Sequence, residues 1–264
     1  MFPETPLPLP KTLAESRALI IGGTAGVGLA SVRRLIVSGV QQAVIVGRSE
    51  KRGSDALSSL AELNASVEFM SGDATDASEA TRIVNQAHKT LGGIDIMVCS
   101  VAPEVHLNYL HHYPIEQVAH TLTQIALPPK HMTRAVLPHM RDQQGGVIIN
   151  VASDAAKVAT PGESVAGAAM AAIVMFTRTV ALEAKRWGIR ANVLTPSLIA
   201  NTASTERIWQ DEFLSKLFTD VAGHAQLGVA EAEDLAAMVA FLASPDARRL
   251  TGQAISVNGG ISAA

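Results

Sequence analysis

The sequence predicts an α/β fold, a doubly wound seven-stranded parallel sheet with helices on both faces, and three observations carry that expectation. Short apolar runs alternate along the chain with longer helical stretches, the pattern of a parallel sheet joined by right-handed crossovers. The runs lack polar alternation, as strands covered by helices on both faces require. Finally, the first run is followed at once by a glycine-rich turn that opens into a helix.

In chain order, the expected strands are residues 18–21 (Ala-Leu-Ile-Ile), 43–46 (Ala-Val-Ile-Val), 67–70, 94–99, 147–151, 190–194 and 255–257, each short, apolar and rich in β-branched residues. Between them, residues 27–38, 54–63, 77–91, 116–140, 164–187 and 232–242 carry amphipathic or buried helical periodicity. Pro128 and Pro129 predict a kink in the fourth of these helices. Two stretches break the regularity: residues 102–115, containing His and Tyr, and residues 196–229 after the sixth strand. Both are expected as loops beyond the carboxyl ends of the strands, where open parallel sheets bind ligands, and hence as the substrate walls.

A chain of 264 residues suits one large α/β domain, expected over residues 17–264, behind an extended leader over residues 1–16. That leader begins with four prolines in ten residues and no basic patch, so it does not read as a signal peptide. With 48% hydrophobic and 17% charged residues, the chain has ample core material. Its net charge of -3 offers no global attraction to nucleic acid or to an anionic membrane, so a small-molecule substrate is the expected partner. No apolar run approaches the roughly 18 uncharged residues of a membrane span. Cys99 is the sole cysteine, which excludes an intramolecular disulfide and suits a reducing, cytoplasmic setting.

The turn after the first strand reads Gly22-Gly23-Thr24-Ala25-Gly26-Val27-Gly28. Glycines at this spacing allow a tight turn, close approach of the backbone to a pyrophosphate, and close packing of helix on strand. The helix start then offers N–H donors and partial positive charge to the phosphates, the arrangement of a Rossmann dinucleotide site. After the second strand, where an NAD site places a carboxylate for the ribose diol, the chain has Gly47-Arg48-Ser49. A guanidinium there pairs with a 2'-phosphate that a carboxylate would repel, so NADP is expected in preference to NAD.

With these motifs the chain resembles the short-chain dehydrogenase/reductase family from Ala18 to Gly260. Further landmarks are Leu137-Pro138, Gly146-Val147-Ile148-Ile149-Asn150-Val151, Gly188-Ile189-Arg190-Ala191-Asn192, Phe241-Leu242-Ala243-Ser244 and Val257-Asn258-Gly259-Gly260. The resemblance implies an oxidoreductase, a homodimer or homotetramer built on the fifth helix and its neighbour, and an adenine contact at Asp73 and Ala74. It also places Ser100 and Val101 after the fourth strand, and Pro196, Ile199 and Thr202 after the sixth, against the cofactor.

The family's catalytic set is Asn, Ser, Tyr and Lys, and of these the resemblance retains only the serine, at Ser153. Its tyrosine, lysine and asparagine positions fall on Ala166, Met170 and Ile125, and no tyrosine follows Tyr113 that could slide into register. Alanine transfers no proton, and a thioether donates no hydrogen bond. Because hydride transfer belongs to the cofactor, the expectation is an NADP(H)-binding oxidoreductase with a non-standard active site, reducing a carbonyl, imine or activated alkene. The alternative is an inactive or non-redox relative: a structural subunit paired with an active homologue, an NADP sensor, or a cyclase or isomerase scaffold. Candidate substitutes for the lost acid are Glu163, three residues before Ala166, and Lys157 and Asp154 beside Ser153. Tyr109, His111, His112 and Tyr113 of the first irregular stretch are further candidates, whereas Lys130 and His131 are expected to face solvent or a subunit contact.

Overall fold

In the computed structural model, which describes residues 10–264, seven strands form one wholly parallel sheet in the order β3-β2-β1-β4-β5-β6-β7. The strands are β1 (Arg17–Ile21), β2 (Gln42–Gly47), β3 (Ser66–Ser71), β4 (Ile96–Cys99), β5 (Gly146–Val151), β6 (Ile189–Thr195) and β7 (Ala254–Ser256). The winding reverses between β1 and β4, which opens a crevice at the carboxyl ends of those two strands.

Two cores follow from the pleat. On one face Ala18, Ile20, Ala43, Ile45, Ile96, Val98 and Ile149 meet helices α1 (Gly26–Val37), α2 (Glu50–Leu60) and α8 (Ala232–Ala243). On the other, Leu19, Ile21, Val44, Val46, Met97, Cys99 and Ile148 meet α3 (Ala77–Leu91), α4 (Gln117–Asp142) and α5 (Ser164–Ala184). Because both faces are covered, consecutive residues of the central strands are buried. At the sheet edge this fails: Ser66 and Glu68 of β3 are exposed and alternate with half-buried Val67 and Phe69, contrary to the expected unbroken apolar pattern.

Several expected boundaries shift for local reasons. Helix α2 starts four residues earlier than periodicity suggested, because Ser49 caps it by accepting a hydrogen bond from the Arg52 N–H at 3.3 Å. Helix α4 runs unbroken through Pro128, Pro129 and Pro138, with the first two prolines buried in its packing face. The stretch 196–229 is not a loop throughout: it holds α6 (Ala203–Gln210) and α7 (Glu212–Gly223), capped by Thr202 and Asp211. Of the expected leader, residues 1–9 lie outside the described residues, and Leu13–Glu15 forms a 3-10 turn in which the Glu15 carboxylate accepts from the Thr12 N–H and hydroxyl.

One helix among the described residues, α5 with its terminal 3-10 turn (Ser164–Trp187), is long and apolar enough to cross a membrane by length and composition. Half of that apolar stretch is buried in the protein, against α4 and β6.

Candidate active site

The glycine turn hangs between the ends of three strands. Gly22 and Gly23 donate to the Val46 carbonyl at 2.9 and 3.2 Å, and Ser100 donates to the Ile21 carbonyl at 2.9 Å. Gly22 has φ +78°, and a side chain there would lie 2.7 Å from the Ser100 carbonyl oxygen. A Cβ on Gly28 would stand 2.0 Å from the Gly22 carbonyl oxygen, so only hydrogen allows the first turn of α1 to press onto the loop. Ala25, at the helix start, provides no side-chain cap, which leaves the first N–H groups of α1 for a bound anion. Val27, just inside the helix, is buried in the core beneath them.

The flanking groups frame this cradle. Thr24 lies over Gly47, where a Cβ would be 2.9 Å from its methyl carbon. Arg48 is exposed and takes part in no ion pair among the described residues. Ser49 uses its hydroxyl as the α2 cap. Asp73 folds into a tight turn, accepting from the Thr75 N–H at 2.9 Å and its hydroxyl at 2.8 Å, and Ala74 is buried beside it. His131, expected to face solvent or a subunit contact, is half-buried: its Nδ1 lies 3.3 Å from the Ala74 carbonyl and ties α4 to this turn. Lys130 likewise is half-buried, 5.5 Å over the Phe176 ring, and burial lowers its pKa.

Across the crevice, the segment after β6 closes the other side. Pro196 accepts the Asp154 N–H at 2.7 Å, Ile199 makes a parallel bridge with Ala230, and the Thr202 hydroxyl donates to the Ile199 carbonyl at 3.0 Å. The Thr202 methyl then stands 3.8 Å from where a Gly26 Cβ would be, so this segment and the glycine turn face each other. Ser100 and half-buried Val101 line the floor between them.

At the end of β5, Ser153 is half-exposed and caps the 3-10 turn Asp154–Ala156, accepting the Ala155 N–H at 3.2 Å. Asp154 is buried: Oδ2 accepts from Asn258 Nδ2 at 3.2 Å, while Oδ1 has no hydrogen-bond partner. Glu163 sits half-buried at the start of α5, and burial, with the charge of Asp154 added, pushes its carboxyl up to about 7. Lys157, a candidate for proton chemistry, instead commits its amine to the Ser256 hydroxyl at 2.6 Å and the Ala264 carbonyl at 2.5 Å, and burial lowers its pKa.

Ala166, Met170 and Ile125, the positions where a tyrosine, a lysine and an asparagine were expected, belong to one apolar cluster with Ala152, Ala169, Val105 and Leu107. The stretches 102–115 and 196–229 meet through their side chains. The Tyr109 ring packs edge-on against Phe213 of α7 at 4.9 Å, Arg207 of α6 lies 3.6 Å from Glu104, and a Cβ on Gly162 would reach Leu217 at 3.0 Å. Tyr113 is buried, its hydroxyl 2.6 Å from that of Thr121. The His111 and His112 rings are tilted against each other at the surface, their centroids 4.1 Å apart.

Sequence reasoning missed the α6–α7 cover and Asn258. The cap residues Thr202 and Asp211 ahead of Phe213, Leu214, Leu217 and Phe218 were a legible signal for the first; the bond from Asn258 to Asp154 spans 104 residues and left none. A cavity of about 480 Å³ lies at the opposite, amino-terminal end of the strands, lined by Lys11, Asp95, Lys185 and Arg190 among others. Helix carboxyl ends gather there, and Arg190 is satisfied by the Leu242 carbonyl at 2.7 Å, so this cavity does not replace the crevice as the site.

The family model described as short chain dehydrogenase matches residues 16–212. Dehydrogenase/reductase SDR family member 4 of Homo sapiens is 33% identical over 94% of this chain and 88% of its own length. The 7alpha-hydroxysteroid dehydrogenase of Bacteroides fragilis is 30% identical over 94% and 95%. Among solved structures, levodione reductase superposes with a TM-score of 0.86 at 25% identity, covering 94% of this chain and 97% of its own. A blue fluorescent protein from a metagenomic library, solved in complex with NADPH, gives 0.82 at 28% identity over 96% and 100%.

Proposed function

Because the chain belongs to the short-chain dehydrogenase family, whose members bind nicotinamide cofactors, we propose that it is an NADP(H)-dependent oxidoreductase that reduces a small carbonyl, imine or activated alkene without the family's usual tyrosine and lysine. The observation that carries this reading is the pairing, across one crevice, of a glycine turn opening into α1 with an end that has Ser153 but is otherwise apolar at Ala166, Met170 and Ile125.

Bound NADPH supplies the hydride. Gly22, Gly26 and Gly28 let the backbone approach the pyrophosphate, and the first turn of α1 donates to it. The exposed Arg48 pairs with the 2'-phosphate, and Asp73 and Ala74 border the adenine. Ser100, Val101, Pro196, Ile199 and Thr202 enclose the nicotinamide half. Ser153, with its hydroxyl at the mouth of β5, holds the substrate oxygen. The apolar cluster, together with Tyr109 and Phe213, excludes water and favours an uncharged substrate.

Stopped-flow oxidation of NADPH across carbonyl, imine and enone panels tests the reaction. Turnover in one class is expected. Binding of NADPH without turnover in any class would instead leave a non-redox member of the family. For the cofactor, Arg48→Ala should weaken NADPH by about 10- to 100-fold, the range of a charge-assisted contact, with NADH affinity unchanged. Tighter binding of NADH than NADPH by the wild-type protein would refute the NADP assignment.

A further inference from the structure

We propose that the cavity at the amino-terminal ends of the strands is a second ligand site, which takes a small organic phosphate with its apolar body on the strand ends and its dianionic head among Lys185, Arg248 and Arg249. The site lies at the opposite end of the sheet from the crevice, and it stands whether or not the crevice turns over a substrate.

The floor of the cavity is apolar. It is formed where β4, β5 and β6 begin, by the buried side chains of Ile96, Val147 and Ile189. Beside them the chain leaves room, since a Cβ on Gly145 would meet no atom within 4 Å. At about 480 Å³ the cavity is of the size that holds small molecules. Its rim is cationic: Lys11, Lys185, Arg248 and Arg249 are exposed there, and Arg190 is buried in the wall.

One carboxylate, Asp95, stands among the described lining residues, and it is already neutralised. Its Oδ1 accepts from the Lys11 amine and its Oδ2 from the Arg17 guanidinium, each at 2.7 Å, and the Arg17 N–H adds a third bond at 2.9 Å. Two cations on one carboxylate leave nothing for the others. Among the described residues Lys185, Arg248 and Arg249 take part in no ion pair and no side-chain hydrogen bond.

The carboxyl ends of α4, α5 and α8 gather around the cavity, and their partial negative charge favours cations. That accounts for Arg190, which donates to the Leu242 carbonyl at 2.7 Å and to those of Ser244 and Leu250 at 3.4 Å. It does not account for the other three, which bond to no carbonyl. Arg190 itself has no carboxylate beside it, and burial lowers its pKa to about 10. A buried guanidinium is ordinarily paired with an anion, and here the counter-charge can enter from the cavity. A phosphate monoester carries about −1.5 to −2 near pH 7, and its oxygens match the arginine fork. A carboxylate brings one charge and leaves more of the surplus unmet.

Isothermal titration of the full chain with phenyl phosphate, inorganic phosphate and benzoate tests this. Phenyl phosphate should bind at one site per chain and more tightly than either other probe, because inorganic phosphate lacks the apolar body and benzoate the second charge. Its binding should survive saturating NADPH, which fills the crevice, and should be unchanged in Arg48→Ala. Arg248→Ala combined with Arg249→Ala should weaken it by about 10-fold, the effect of two solvent-screened charge contacts. Both side chains lie outside the core, so the unliganded variant should unfold as the wild type does; Lys185→Ala, on another element, should give an independent loss. Displacement by NADPH, weakening in Arg48→Ala, or full affinity in the Arg248/Arg249 variant would put the phosphate elsewhere and overturn the proposal. Equal affinity for benzoate, or no binding at about 10 mM phenyl phosphate, overturns it as well.

Discussion

The two halves of the crevice are built on different principles. Around β1 and β2 the working parts are backbone: glycines where a Cβ would strike a carbonyl, N–H groups at the start of α1, and a turn pinned to neighbouring strand ends. Around β5 and α5 the working parts are side chains, and most are apolar, with Ser153, Asp154 and Glu163 as the polar exceptions. A backbone cradle tolerates little change, because every atom of it is shared with the fold. A side-chain site can be built of apolar groups and still pack, as Ala166, Met170 and Ile125 do within one cluster. The fold therefore builds the first half and says little about the second.

The sharpest way to break this contrast is Gly28→Ala. The added methyl carbon stands 2.0 Å from the Gly22 carbonyl oxygen, so either α1 or the glycine turn must move. A loss of about 3 kcal/mol or more is expected by urea unfolding, at the upper end of single-substitution effects, together with loss of NADPH binding. Unchanged stability and affinity would mean that the close approach is not a constraint.

On the other half the largest expected effect is electrostatic. Glu163 ionises near 4.5 in the unfolded chain and at about 7 in the folded one. Below the first value both states are protonated and the group contributes nothing to the pH dependence. Between the two, only the unfolded chain releases the proton, so stability falls as pH rises, and above about 7 the loss is complete. It amounts to about 3 kcal/mol at most. Glu163→Gln should remove this slope, so that its stability relative to wild type is greater at pH 8 than at pH 5; parallel curves for the two proteins would show that the carboxyl is not perturbed.

How much of this was legible in the sequence divides along the same line. The seven strands, their parallel sheet and the glycine turn could be read because each depends on local pattern: apolar runs such as 43–46, and glycines at fixed spacing. Even so, the edge strand β3 alternates where none was expected, because burial there depends on having a neighbour on both sides. The environment of Glu163 could not be read. It arises from Asp154, nine residues earlier, and Asn258, 95 residues later, brought together by β5 and the segment after β7. The partners of His131 and Lys157 could not be read for the same reason: nothing near either residue in sequence points to Ala74 or Ser256 until the fold brings them together. The α6–α7 cover was missed although its caps were visible, since the periodic stretches are short and interrupted at Asp211.

The smallest expected effect concerns that cover, where the stretches 102–115 and 196–229 touch. Tyr109 and Phe213 meet edge-on at 4.9 Å, a geometry in which the positive ring edge faces the negative π cloud. The pair should be worth about 0.5–1.5 kcal/mol beyond its area. A double-mutant cycle with Tyr109→Leu and Phe213→Leu measures that coupling free of the changes each substitution makes alone. The exposed ion pair of Arg207 with Glu104, 3.6 Å apart, runs between the same stretches and should add little, since pairs in solvent gain almost nothing over their hydrated partners. If closure of these stretches controls access to the apolar cluster, breaking the aromatic pair should raise KM for the substrate and leave NADPH affinity unchanged, because the cradle on the β1 side is built from other elements. A change in NADPH affinity of similar size would instead show that the two halves of the crevice are coupled through α7, and that the contrast between them is one of construction only.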